Sequence, residues 1–241
     1  MPKIACVIPA RLQSSRFPRK ILAKLGGRPL LQWAWEAALA TNLFHDVAIA
    51  VDAEETADVV KGFGGKCFMT AIDCPSGTLR LSELLLRRKV LGDIFVCWQA
   101  DEPFLHRDIL KDLLQSTDDA SDVWTLKKKL KNPNDVLSPH IPKVVTDIDG
   151  YALYFSRSPI PFHRDTEEVA YYKHIGIYAY TKATLLKLAE NPTCPLAEAE
   201  QLEQLNFLYR GLKVRVHETA FEGFGIDIPE HLEAAHHLIK K

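Results

Sequence analysis

The stretch Ile4-Ala5-Cys6-Val7-Ile8-Pro9-Ala10-Arg11-Leu12-Gln13-Ser14-Ser15-Arg16-Phe17-Pro18-Arg19-Lys20 decides how the rest of the chain is read. A short, unbroken apolar run that stops at a proline reads as a strand covered on both faces, the kind found inside parallel sheets. The loop after it carries Arg11, Arg16, Arg19 and Lys20 and no acidic residue. Ligands of open α/β sheets bind beyond the carboxyl ends of such strands, so these cations stand where the phosphates of a nucleotide would lie. Arginine forks bind phosphate oxygens in pairs, lysine adds a compact charge, and loop amides complete an anion cradle. Neither a Walker A loop nor a G-x-G-x-x-G fingerprint is present, which disfavours P-loop ATPases and dinucleotide dehydrogenases. A basic loop by itself is usually only solvated; its place after a core strand favours function.

Outward from this stretch, the chain alternates. Leu30 to Ala40 has apolar residues at helical spacing with Pro29 suited to the first helical position. Asp46 to Asp52 reads as a second core strand, Glu54 to Phe63 as a helix stopped at Gly64-Gly65, Cys67 to Thr70 as a strand, Leu79 to Val90 as a helix and Asp93 to Trp98 as a buried strand. Strand-helix alternation predicts an α/β fold with a parallel sheet. From about residue 122 the pattern becomes strand-rich: Val123 to Leu130, Lys143 to Asp147, Ala152 to Ser156 and His174 to Tyr180. Thr181 to Glu190, Ala197 to Tyr209 and Pro229 to Lys240 read as helices, and Lys213 to His217 as a strand. No hinge rich in Pro, Gly or Ser divides the chain, so residues 1–241 read as one domain with a strand-rich subdomain at about 122–180.

With 241 residues, 47% of them hydrophobic, the chain can bury a full core. Lys plus Arg number 30 against 31 Asp plus Glu, a net charge of −1 that offers no field for a nucleic-acid backbone or an anionic membrane. The apolar N-terminal run is too short for a signal sequence, and no stretch could span a bilayer; the expectation is a soluble, cytoplasmic protein. Cys6, Cys67, Cys74, Cys97 and Cys194 lack C-x-x-C spacing and read as reduced, buried thiols.

Four further groups could carry chemistry. Asp101, in Gln99-Ala100-Asp101-Glu102-Pro103, lies at a strand's carboxyl end and could hold Mg²⁺; the same acids also suit a helix start. Asp227, in Gly223-Phe224-Gly225-Ile226-Asp227, reads as either the N-cap of the last helix or a second metal ligand. Ser76-Gly77-Thr78-Leu79-Arg80 combines close backbone approach with an arginine that could reach a base or phosphate, or is simply a helix start capped by Ser76 or Thr78. Arg157, Arg164, His174, Tyr178, Glu203 and Gln204 have the chemistry to bind a polyhydroxylated acid. His236 and His237 show no ligand spacing, and Lys127-Lys128-Lys129 reads as a solvated edge that discourages strand pairing.

These motifs resemble the 3-deoxy-manno-octulosonate (Kdo) cytidylyltransferases, the CMP-Kdo synthetases, over nearly the whole chain. The family opening I-P-A-R-x-x-S-x-R-x-P-x-K is met by Ile8 to Lys20, S-G-T-x-R by Ser76 to Arg80, and Q-G-D-E-P by Gln99 to Pro103. Tyr154 to Pro161, Lys173 to Tyr178, Leu202 to Leu205 and Gly225 to Pro229 follow in family order. The resemblance implies a three-layer nucleotide-diphospho-sugar transferase-like fold, Rossmann-like with a mixed, mainly parallel sheet. It also implies a homodimer and a Mg²⁺-dependent transfer of CMP from CTP to the sugar acid for lipopolysaccharide. By that similarity Arg11, Arg16 and Lys20 hold the triphosphate, and Ala10, Ser76, Gly77 and Arg80 lie around the cytidine. Asp101 and Asp227 bind the metal, and Gln99, Arg157, Arg164, His174, Tyr178, Glu203 and Gln204 line the sugar pocket. Arg11, Lys20, Asp101 and Asp227 are the catalytic set it implies.

Departures from the pattern are Arg19, where a small residue is usual and an added cation near the β/γ-phosphates is expected; Ala100, in place of glycine, whose backbone should avoid φ > 0; and Leu79, in place of an acid. Asp135 to Pro142 reads as a short insertion.

Overall fold

The computed structural model describes residues 2–14, 16–164, 169–190, 194–221 and 223–239. The chain divides into two compact units, one of residues 1–107, 185–190 and 223–241, the other of 108–184 and 191–222.

The first unit runs β1 (Ile4–Ala10), the small hairpin β2 (Lys24–Leu25) and β3 (Arg28–Pro29), α1 (Leu30–Ala40), β4 (Asp46–Val51), α2 (Glu54–Gly62), β5 (Cys67–Met69), α3 (Gly77–Leu86) and β6 (Ile94–Cys97). Its sheet has the order β6-β1-β4-β5, all parallel. β1 is paired on both sides, with Cys6 opposite Val47 and Val96. That is why its side chains are apolar without alternation and why Ala5, Cys6, Val7 and Ile8 are fully buried. The strand continues through Pro9 to Ala10, two residues past the apolar run. Pro29 is the residue before α1 rather than its first, with φ −57 already suited to helix entry. A 3₁₀ turn at Lys20–Leu22, entered through Arg19 in the left-handed region (φ 57), folds the end of the basic loop back and buries Lys20.

The second unit holds α4 (Arg107–Leu114), β7 (Val123–Lys129), α5 (Pro133–Leu137), β8 (Lys143–Thr146), β9 (Ala152–Ser156), β10 (Tyr172–Thr181), α7 (Pro195–Glu200), α8 (Leu205–Tyr209) and β11 (Val214–Glu218). α6 (Lys182–Leu188) straddles the division, and α9 (Pro229–Leu238) belongs to the first unit. The strand-rich stretch 122–180 falls in this second unit.

Three expectations change. Of the Lys127-Lys128-Lys129 run, Lys127 is no sheet edge: there β7 pairs with β10 on one side and β11 on the other, and the β11 pairing stops at Lys127, leaving Lys128 and Lys129 paired with β10 alone. Lys127 donates to Thr146 Oγ1 at 2.7 Å and lies 4.6 Å over the Tyr172 ring, so its stem packs while its head finds partners. The single helix expected over Ala197 to Tyr209 is broken at Gln201, which is left-handed (φ 52). The break buries Leu202 and Gln204, which a continuous helix would not have done together. Cys67 and Cys74 are half-buried, unlike Cys6, Cys97 and Cys194. No helix among the described residues is long and apolar enough to cross a membrane.

Candidate active site

In the first unit a cavity of about 310 Å³ opens beyond the carboxyl ends of β1 and β6. Arg11, Arg16, Lys20, Ser76, Gly77, Arg80, Gln99, Asp101 and Asp227 all line it, joined by Pro9, Gln13 and Cys74. Residues far apart in sequence are thus brought to one wall. Ala10 is fully buried at the strand end, and Pro9 is the residue that meets the cavity.

At the centre of this arrangement stands the Lys20 ammonium. It donates to Asp101 Oδ2 at 2.5 Å and to Asp227 Oδ1 at 3.0 Å, and Arg16 reaches the same Asp227 oxygen at 3.1 Å. Burial works against the charged form of Asp227, but the hydrogen bond and charge of Lys20, then the charge of Arg16, outweigh it and hold its carboxyl below the usual range. Asp227 does not cap α9; Ile228 stands at that position without a side-chain cap.

The two acids are held together by main chain. The Ile226 amide donates to the Asp101 carbonyl at 2.9 Å, and the indole of the buried Trp98 donates to the Glu102 carbonyl at 3.0 Å, fixing the turn that presents Asp101. A Cβ at Gly223 would lie 2.7 Å from Glu102 Oε2, so a larger residue there would push the Glu102 carboxylate aside. Ala100, despite replacing a glycine, is not in the left-handed region.

The donor set suits a divalent cation. Two carboxylate oxygens already converge on one compact positive charge, and hard cations favour such oxygens, completing their shell with water and substrate phosphates. No cluster of three or more metal-capable side chains occurs among the described residues, so at this pair water and substrate oxygens would have to complete a cation's shell.

A family model described as cytidylyltransferase matches residues 5–215. The 3-deoxy-manno-octulosonate cytidylyltransferase of Geobacter sulfurreducens is 40% identical over 95% of this chain and 96% of its own. The chain belongs to this family. A relative of the same name from Solibacter usitatus is 41% identical over 99% of this chain and 95% of its own. A solved structure of CMP:2-keto-3-deoxy-manno-octonic acid synthetase complexed with CTP is 39% identical, covers 99% of this chain and 98% of its own, and superposes with a TM-score of 0.92.

Other expected site residues of this cytidylyltransferase are differently engaged. Ser76 caps α3, accepting from the Leu79 amide at 3.3 Å, and α3 begins at Gly77, two residues earlier than expected. The Arg80 fork is not free to swing to a phosphate: it is 2% exposed and bonded to Asp52 Oδ2 at 3.0 Å, Thr70 Oγ1 at 2.6 Å and the Ala71 carbonyl at 3.0 Å. Arg19 pairs with Glu55 on α2 and does not line the cavity, so its charge is compensated away from where phosphates would lie.

In the second unit, His174, Tyr178 and Gln204 form one cluster. Tyr178 donates to Gln204 Oε1 at 3.2 Å, His174 Nε2 meets Thr125 Oγ1 at 2.9 Å, and Gln204 Nε2 approaches His174 Nδ1 at 3.4 Å. Burial pushes His174 down to about 3, so the ring is neutral. Glu203 is half-buried nearby in sequence, and Arg164 is exposed. Arg157 holds main chain instead: its guanidinium donates to the carbonyls of Glu200 at 2.7 Å, Gln201 at 3.2 Å and Pro139 at 2.9 Å. These bonds satisfy the carboxyl end of α7 and tether the 135–142 segment, which Lys143 also grips through the Ser138 carbonyl at 2.9 Å. Sequence reasoning missed Asp52; an acid directly after a core strand was the available signal.

Proposed function

We propose that this protein transfers CMP from CTP to the anomeric hydroxyl of Kdo, releasing pyrophosphate and supplying CMP-Kdo for lipopolysaccharide. The observation that carries this reading is the single cavity that gathers a cationic loop, the Ser76-Gly77 helix entrance and two carboxylates converging on Lys20. Arg11, Arg16 and Lys20 bind and orient the triphosphate, and Pro9, Ser76, Gly77 and Arg80 shape the cytidine side. Asp101 and Asp227 would hold Mg²⁺, which when bound would lower the pKa of the attacking hydroxyl and offset phosphate charge. Lys20, displaced from the carboxylates as nucleotide loads, neutralises charge that develops on the leaving pyrophosphate. Buried, neutral His174 with Tyr178 and Gln204 supplies uncharged hydrogen-bonding groups for sugar hydroxyls, with Gln99, Glu203 and Arg164 as further sugar-side residues. Arg157 serves by bracing the segment that carries Gln204. Ile148, Leu153 and Phe162 of the second unit are exposed apolar side chains that a second copy would cover, which supports a homodimer; light scattering measures its mass.

The test is a panel of acids, Kdo, 8-amino-Kdo and a nonulosonic acid, each incubated with CTP and Mg²⁺ while pyrophosphate is followed. Release with Kdo well above the others is expected. Turnover of the amino sugar with negligible use of Kdo would reassign the substrate, and release with none of them would refute the activity.

A further inference from the structure

We propose that Asp52, which does not itself line the cavity, is a positioning residue that sets the phosphate side and the base side of the nucleotide site with one carboxylate; this rests on the nucleotide reading above. Asp52 follows the last residue of β4, and its side chain is 4% exposed. Oδ1 accepts the Leu12 amide at 2.9 Å, and Oδ2 accepts the Arg80 guanidinium at 3.0 Å. Leu12 lies between Arg11 and Gln13, both on the cavity wall, and Arg80 is on that wall as well. The basic loop and the α3 entrance therefore meet at the same buried acid.

The pair is costly to place there and gains little as a stabiliser, because well-packed apolar residues commonly serve a core at least as well as a buried ion pair does. What it supplies is orientation. The Thr70 hydroxyl, itself donating to the Val51 carbonyl at 3.0 Å, accepts from Arg80 at 2.6 Å, and the Ala71 carbonyl accepts at 3.0 Å. Three acceptors on a planar fork fix its rotation as well as its position. On the loop side, a carboxylate bond to an amide pins the chain one residue past Arg11, where small displacements would move the arginine away from a phosphate.

The experiment measures the competitive inhibition constants of inorganic triphosphate and of cytidine, separately, against CTP in the wild type and in Asp52→Asn, at a temperature where circular dichroism finds both folded. The amide removes the charge and keeps only one acceptor oxygen, putting an NH2 donor in place of the other, so the side chain can no longer accept from Leu12 and Arg80 together. Both constants are expected to weaken about tenfold or more, the worth of one charge-assisted hydrogen bond, and KM for CTP should rise more than kcat falls. A lower melting temperature with wild-type constants for both probes would make Asp52 merely structural, and weakening of one probe alone would break the coupling. If Asp52→Asn does not fold, Thr70→Val removes another Arg80 acceptor while leaving Asp52 in place: weaker cytidine binding supports the proposal, and wild-type cytidine binding overturns it. Failure of the wild type to bind either probe would instead refute the nucleotide reading.

Discussion

The two polar clusters of this chain rest on opposite electrostatics. The first unit's cavity gathers cations and carboxylates around a buried Lys20, with an outer pair open to solvent, the Arg16 side chain 68% and Asp227 41% exposed. The second unit's His174, Tyr178 and Gln204 are neutral and nearly closed off, at 8%, 6% and 4%. The exposed Arg16–Asp227 pair of the first can be taken apart by an arriving polyanion, since such a pair is cheap to break in water. A buried neutral network is kept only when every member is satisfied, so it is preset and resists change. The contrast separates a site that must rearrange from one that must not.

The largest expected effect that sharpens this contrast is Lys20→Met. Turnover should fall about 10²- to 10³-fold, the scale for losing one preorganised transition-state donor, while Mn²⁺ binding without nucleotide, followed by electron paramagnetic resonance, should tighten because no ammonium lies between Asp101 and Asp227. Unchanged Mn²⁺ binding would mean that Lys20 does not compete with the cation.

The neutral cluster predicts a pH dependence of stability. Because His174 titrates at about 3 in the fold and at about 6.5 in the unfolded chain, the unfolded state binds the extra proton between those limits. Stability is therefore full above about 6.5 and falls as pH drops, by about 1.4 kcal/mol per pH unit from this group. Asp227, with its lowered pKa, adds loss in the same direction only near and below the ordinary carboxylate range. Urea midpoints at pH 7 and 4.5 also carry a contribution from His217, whose pKa burial lowers as well, so the comparison of variants isolates His174: His174→Gln should show a distinctly smaller drop than the wild type, and an equal drop would contradict a buried neutral ring.

Arg16→Ala should weaken CTP about tenfold, one charge-assisted bond, and lessen the salt dependence of CTP affinity; fold stability should move by less than about 0.5 kcal/mol. Arg19→Ala should be the mildest, within about twofold in CTP affinity, since its exposed pair with Glu55 has little to lose. A larger effect would place Arg19 with the phosphate-binding loop after all.

Much of the first unit was legible because its signals are local. The continuous apolar run of β1, the helical spacing of Leu30 to Ala40 and the strand-end position of Asp101 each follow from a few neighbouring residues. α4 was readable but unread: Ile109, Leu110 and Leu113 mark an apolar face among charged neighbours. The turn at Gln201 was not readable, since no glycine or proline announces its left-handed backbone. The engagement of Arg80 and Arg157 was hidden for another reason: several of their acceptors are main-chain carbonyls, which every residue has and no sequence pattern marks.

Asp101 and Asp227 are expected to act on the transferring phosphoryl group and not on nucleotide capture. The most direct test is single-turnover transfer from CTP to Kdo in wild type and Asp101→Asn, with CTP affinity measured on the same samples. Transfer should slow by about 10³-fold or more while CTP dissociation changes only a few-fold, as for an interaction realised in the transition state. Equal losses in transfer and affinity, or transfer at the wild-type rate, would contradict the account.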